Sequence, residues 1–207
     1  MTPEAVVLVV DDDSMVRDAL GNLLRSAGFE VRLYQSAKEL LEGPMPSGPH
    51  CLVLDVHLPG LSGLELQARL VDQGVGTPIV FITGDGDIPM SVRAMRAGAS
   101  EFLTKPVDDI RLLDAVERAV EQSARRQAEE AELRVIRERY SRLTPRQREV
   151  MLRITNGLLN KEVAADLGIT EITVKVNRRQ VMEKMVAKSL PDLVRMADRL
   201  GLRTSSR

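Results

Sequence analysis

Five short runs, mostly apolar, at residues 5–10, 30–34, 51–54, 78–82 and 101–104, alternate with five stretches of helical periodicity in the first 121 residues. Runs of that length, bounded by Gly, Pro or acid, have the form of strands, and those that stay apolar without alternation are buried on both faces. Strand and helix in strict alternation define a parallel sheet with helices on both sides. The expected helices run over about 14–26, a short stretch from Ser36, about 63–71, about 88–97 and about 108–121. Val16, Leu20, Leu23 and Leu24 form the inward face of the first, and Leu40 and Leu41 that of the second.

Four of the five strands end on a group able to bind phosphate or metal: Asp11 and Asp12, Asp55, Thr83 and Lys105. If the strand order is 2-1-3-4-5, the first and third strands flank the point where the sheet reverses direction. The acids then converge on the carboxyl edge, where open α/β sheets bind ligands. A lone strand-end Asp serves a turn about as often as a site. Asp11 to Asp13 have a second reading as caps of the first helix, and Lys105 as a surface lysine. Four such groups in order weigh against coincidence. Three crowded carboxylates raise one another's pKa unless a cation shares them. Oxygen-only donors with room for water suit Mg²⁺, and a dication beside Lys105 and the Thr83 hydroxyl would suit phosphoryl oxygens.

The net charge of -1 hides an asymmetry. Residues 142–207 carry 14 Lys and Arg against 7 Asp and Glu, whereas residues 1–141 carry 15 against 23. A basic C-terminal third points to nucleic acid, and the acidic remainder to a cation site or a protein partner. Cys51 is the single cysteine, which excludes an intrachain disulfide and a thiolate zinc site and suits a buried small hydrophobe. No apolar stretch approaches the ~18 residues of a membrane span, and no basic-then-apolar leader opens the chain, so the expected location is the cytoplasm, away from membranes.

From about 122 to 142 the chain is charged and Ala-containing without Gly or Pro, and reads as helix continuing from the one before it. Leu133, Ile136, Tyr140 and Leu143 recur at heptad-like spacing, which leaves a plain helical spacer and a short coiled coil between two chains as alternatives. Thr144, Pro145 and Gln147 then form a helix start with a capping box. A helix to about 156, a turn at 157–160, a shorter helix at 161–167, a Gly168 turn and a longer helix from 171 to about 186 spell helix-turn-helix. On the longer helix Val174, Val181 and Met185 share a face fit for burial. Lys175, Val176 and Arg179 share another, basic with one apolar contact, which suits the major groove.

Residues 4–121 resemble a response-regulator receiver domain of the CheY-like, flavodoxin-like type. The resemblance makes Asp55 the phosphoacceptor, with Asp12 and Asp55 as direct Mg²⁺ ligands, Asp11 helping to hold the ion and the His57 backbone carbonyl completing the protein donors. Thr83 and Lys105 would bind the phosphoryl oxygens, and Phe102 matches the aromatic position that turns inward when Thr83 moves. The Lys105–Pro106 bond corresponds to one usually cis in the family, the His57 imidazole has no assigned part, and Asp13 is expected to be solvated. About residues 140–202 are similar to a LuxR/NarL-type effector, through Leu143-Thr144, Arg148-Glu149-Val150, residues 160–164, residues 173–176 and Lys184-Met185. There Lys175, Val176 and Arg179 would reach base edges, and Lys161, Thr173 and Arg178 phosphates. Asn177 departs from the pattern, where His is usual. With residues 86–90 and 189–196 the pairing looks closest to FixJ-type regulators, and a fourth helix at 191–200 commonly makes dimer contacts in such effectors.

The expected organisation is therefore a doubly wound α/β receiver at 1–121, a helical linker at 122–142 and a small all-α helix-turn-helix domain at 143–207. The expected function is a transcriptional regulator, not an enzyme, that takes a phosphoryl group on Asp55 from a sensor histidine kinase and then favours a homodimer. It would bind a roughly palindromic double-stranded operator, with RNA polymerase as a further candidate partner. The alternatives are a regulator independent of phosphorylation, a Mg²⁺-dependent phosphatase and an RNA-binding antiterminator. A phosphatase needs a second acid two residues after the first followed by Thr or Val, and Asp11-Asp12-Asp13-Ser14-Met15 lacks that pattern. The antiterminator would lack the 173–176 helix and its N-cap.

Overall fold

A computed structural model describes residues 5–84 and 88–202. Residues 86 and 87 of the 86–90 stretch therefore lie outside the described residues. The elements are β1 (Val6–Val10), α1 (Ser14–Ser26), β2 (Glu30–Tyr34), α2 (Ala37–Glu42), β3 (His50–Asp55), α3 (Gly63–Asp72), β4 (Ile79–Thr83), α4 (Ile88–Arg96), β5 (Glu101–Thr104) and α5 (Asp109–Ser141). Then follow α6 (Pro145–Thr155), α7 (Asn160–Leu167), α8 (Glu171–Met185) and α9 (Leu190–Arg199). The packing divides the chain into two compact units that meet between Ala128 and Glu129, within α5.

The first unit is a five-stranded parallel sheet in the order β2-β1-β3-β4-β5. Alternate residues of each buried strand enter opposite layers, as the two-residue period of a strand demands. Leu8, Val10, Leu52, Leu54 and Phe81 pack with Leu40, Leu66, Leu70 and Ala94 of α2, α3 and α4. Val7, Val9, Cys51, Val53 and Ile82 pack with Leu20 and Leu24 of α1 and Leu112, Ala115, Val116 and Ala119 of α5. One expectation fails here, since Leu41 is exposed and only Leu40 of that pair is buried. α2 has just six residues, enough for one inward position per turn but not for two adjacent ones.

The second unit has its own core, in which Val150, Met151 and Ile154 of α6 meet Val163 of α7, Val174, Val181 and Met185 of α8, and Leu193 and Ala197 of α9. Thr144 caps α6 by accepting the Gln147 N–H at 3.3 Å, while the Gln147 side chain accepts the Thr144 N–H at 3.0 Å. Gly168, at φ +64°, ends α7 in the left-handed region that glycine adopts freely. Buried Gln147 also donates to Gln180 at 2.8 Å and accepts from Lys184 at 2.9 Å, which fixes α8 against α6.

Ile136 and Leu143 are buried in this second core with Tyr140 packed against it, and the Arg148 guanidinium lies 5.1 Å from the Tyr140 ring centre. Three of the four heptad-like positions, Ile136 and Tyr140 on α5 and Leu143 just past its end, are thus taken up by the core of their own chain, and Leu133 is not part of it. Burying an aliphatic side chain such as Ile136 stabilises by roughly 1.5–3 kcal/mol.

Candidate functional site

β1 and β3 lie side by side with Val10 opposite Leu54, so the residues that follow them share one edge. The structure brings Asp11, Asp12 and Asp55 together there, with one oxygen from each within 4.8 Å of the others. Asp11 and Asp55 are buried and Asp12 is exposed. Lys105, at the end of β5, completes the cluster at 2.8 Å from Asp11 Oδ2 and 3.5 Å from Asp55 Oδ2. The Lys105–Pro106 peptide is cis.

Burial pushes the Asp11 carboxyl above its ordinary value, with the Asp55 charge acting the same way, while hydrogen bonds from Lys105 and the Asp13 N–H pull it down. Burial of Lys105 favours its neutral form, yet the hydrogen bond to Asp11 and both carboxylate charges outweigh it and leave the ammonium raised. Asp55 Oδ1 is buried and has no hydrogen-bond partner among the described residues. A buried acceptor left unpaired is costly unless a ligand completes it. An oxygen-only triad with one free buried oxygen is a donor set that fits a hard divalent cation.

Asp13 is not simply solvated. It is the N-cap of α1 and accepts the Met15 and Val16 N–H groups at 2.8 and 3.4 Å, so both readings of the acid run are realised, Asp13 capping and Asp11 and Asp12 lining the pocket. Arg17 was not singled out from sequence, although its Nη1 donates to the Asp11 carbonyl at 2.7 Å and holds the main chain of the acid loop. An Arg one turn past an acid run was the available signal.

Thr83 ends β4 fully buried, and Phe102 on β5 is half-buried with its ring 6.2 Å from Phe81. His57 enters through its side chain, because Nδ1 lies 3.2 Å from Thr83 Oγ1. The resemblance to receiver domains implies a part only for its backbone carbonyl. The pairing spans 26 residues and depends on the path of the β3–α3 loop, which no local pattern encodes.

That path is set by Gly60, at φ +82°, and by Gly63. A Cβ on Gly63 would fall against the Asp55 carbonyl oxygen, well inside van der Waals contact, and 3.1 Å from Val56 Cα. Ser62 then caps α3 in a reciprocal box with Glu65. Gly63→Ala is expected to displace the Asp55 main chain and to cost roughly 2 kcal/mol in urea unfolding. An unchanged value would mean that the loop yields freely.

In the second unit Lys161, Lys175, Val176 and Arg179 are exposed, and Thr173, Asn177 and Arg178 are half-buried. Arg178 Nη1 donates to Asn160 Oδ1 at 3.2 Å, tying α8 to the start of α7. Thr173 N–H donates to its N-cap Thr170 at 3.2 Å. Arg179 pairs with Glu183 at 2.8 Å, both largely in solvent, where such pairs are weakly held and exchange readily. Asn177 Nδ2 donates to the Thr173 carbonyl at 2.9 Å and so bonds within its own helix.

Residues 7–117 match the response regulator receiver domain, and residues 141–197 match the bacterial regulatory proteins of the luxR family. The chain therefore belongs to the response regulators, and with its acid pocket and LuxR-type DNA-binding domain to those of the FixJ/TodT type, which are transcription regulators rather than enzymes. It is similar to Nodulation protein W of Bradyrhizobium diazoefficiens, 50% identical over 96% of this chain and 88% of that one. Transcriptional regulatory protein FixJ of the same organism is 42% identical over 98% of both chains. Among solved structures, the response regulator StyR superimposes with a TM-score of 0.82 at 49% identity, over 94% of this chain and 98% of that one. No helix among the described residues is long and apolar enough to cross a membrane.

Proposed function

We propose that Asp55 accepts a phosphoryl group from the phosphohistidine of a sensor kinase, and that the acyl phosphate so formed promotes a homodimer that binds a roughly palindromic operator. The observation that carries this reading is the buried Asp55 Oδ1, unpartnered among the described residues, on a carboxylate that gathers with Asp11, Asp12 and Lys105. Asp55 is the nucleophile; the phosphorus–nitrogen bond breaks and the imidazole leaves with its electron pair. Mg²⁺ held by Asp11, Asp12, Asp55 and the His57 carbonyl would offset the charge gathered on carboxylate and phosphoryl oxygens. Lys105 Nζ keeps one carboxylate oxygen on each side in place and donates to the phosphoryl group. The Thr83 hydroxyl exchanges His57 Nδ1 for a phosphoryl oxygen, and Phe102 follows Thr83 inward.

That movement biases an equilibrium between two packings of β4, α4 and β5. Ile88, Val92 and Met95 form an exposed apolar stripe along α4, which supports the homodimer as the state favoured by phosphate. On α8, Lys175, Val176 and Arg179 reach base edges, while Lys161, Thr173 and Arg178 hold phosphates. Two such helices in a dimer read half-sites about one helical turn apart. The setting is the cytoplasm, with RNA polymerase as a further partner at the promoter.

The test is to treat the full chain with phosphoramidate and Mg²⁺. The expected result is one added phosphoryl group on the peptide containing Asp55, a shift toward dimer in sedimentation and tighter binding to selected duplex DNA. Phosphoryl uptake on another residue, or uptake without either change, would overturn the reading.

A further inference from the structure

The basic face of α8 carries more apolar surface than one valine. Ile172 is 75% exposed and Val176 50%, and with the exposed Lys175 and Arg179 they fall at i, i+3, i+4 and i+7, one stripe of a helix. Neither apolar side chain joins the core, to which α8 contributes Val174, Val181 and Met185. Helix propensity gives no reason for Ile172 either, because a β-branched residue is no better than neutral there. A single exposed apolar residue needs no explanation. This one shares its stripe with two cations and lies in the first turn of α8, the end of a recognition helix that contacts base edges.

We propose that Ile172 is, beside Val176, a second apolar sequence-reading residue of α8, whose side chain buries the 5-methyl group of a thymine in the major groove. The proposal rests on α8 being the DNA-reading helix. Charge complementarity selects the occupant, since exposed Lys175 on the stripe, Arg179 on release from its solvent-exposed pair with Glu183, and exposed Lys161 suit a polyanion, whereas an apolar protein surface would leave the lysines uncompensated. The methyl of thymine is the apolar feature a base presents in that groove. Ile172 and Val176 are separated by about 6 Å along the helix axis, more than the ~3.4 Å between base pairs. For a helix lying along the groove, the two side chains therefore reach different base pairs.

The test starts from duplexes selected out of a random-sequence pool by the full chain treated with phosphoramidate and Mg²⁺. Each thymine of the selected half-site is then replaced singly by uracil, which removes the methyl alone. The expected result is two thymines at which uracil weakens binding about fourfold, the order expected for losing one buried methyl. Ile172→Ala abolishes the penalty at one of them and keeps the other, and Val176→Ala does the reverse. Retention of every uracil penalty by Ile172→Ala, with an unchanged selected sequence, overturns the role of Ile172 while leaving α8 as the reading helix. If the wild type enriches no sequence at all, the DNA-reading role of α8 falls and this proposal falls with it.

Discussion

Asp55→Ala is expected to abolish phosphoryl uptake from a small-molecule donor, together with any donor-dependent dimer and gain in DNA affinity. No neighbour replaces it. Both oxygens of Asp11 are engaged, Oδ1 by the Asp13 N–H at 2.9 Å and Oδ2 by Lys105 at 2.8 Å, and Asp12 is an exposed flank of the pocket. The same variant should be more stable than the wild type without added metal. It removes a buried acceptor that has no partner among the described residues, a defect worth about 1–3 kcal/mol, and it removes the charge that helps push the Asp11 carboxyl up. Loss of the 3.5 Å approach to Lys105 offsets part of this, leaving a gain of roughly 1 kcal/mol in urea unfolding. A variant that still takes up phosphate, located by peptide mass, would move the nucleophile elsewhere. A variant that loses both function and stability would make the carboxylate a structural group.

Lys105→Ala should have the larger effect on folding. Asp11 is fully buried, and removing its ammonium partner leaves a carboxylate stranded in the sheet edge, a loss of about 2–3 kcal/mol at neutral pH once the partial exposure of Lys105 is allowed for. The pH dependence has a definite sign. Asp11 holds its proton in the folded chain above the ordinary 3.8, so the folded state binds more protons than the unfolded one, and stability falls as pH rises from 3.8 through the folded-state value. Without Lys105 the Asp11 carboxyl is pushed higher and the fall is longer. Wild type and variant should therefore unfold most alike in acid and diverge toward neutrality. The wild-type ammonium, raised above 10.5, keeps its contribution below 10.5 and loses it only as alkaline pH passes its folded-state value. Mg²⁺ should restore part of the deficit in the variant by binding the folded state alone. Thermal unfolding across the acid-to-neutral range, with and without Mg²⁺, checks this. A gap constant with pH would remove Asp11 from the account.

The sheet was legible because strands buried on both faces leave uninterrupted apolar runs, as at Val7, Leu8, Val9 and Val10, whose alternate members enter opposite layers. The acid pocket was legible for a related reason. A parallel sheet places all its strand ends on one edge, so polar groups that look scattered in sequence, Asp11, Asp55 and Lys105, meet in space. What escaped depends on loops and on what covers a face. The approach of His57 to Thr83 needs the course of a loop, and the hold of Arg17 on the Asp11 carbonyl needs the pitch of α1 against it. At Ile136 and Tyr140 the spacing showed which side of α5 is apolar, and Leu143 continues it just past the helix end. A helix buried in its own domain and one paired with a second chain share that pattern, so the spacing alone did not show that α6 and α8 cover Ile136.

α5 is one helix of 33 residues serving two hydrophobic cores, the first through Leu112, Ala115, Val116 and Ala119 and the second through Ile136. Gln127 still belongs to the first unit, donating to the Gly48 carbonyl at 2.8 Å, while the Glu129 carbonyl and the Glu132 carboxylate already accept Arg199 of α9. A join at Leu143, where the helix-turn-helix pattern begins, would strip Ile136 and Tyr140 from the smaller core. A chimaera that exchanges the second unit for another is therefore expected to keep both cores when the crossover falls near Ala128, so the portable unit is longer at its amino end than its sequence motif.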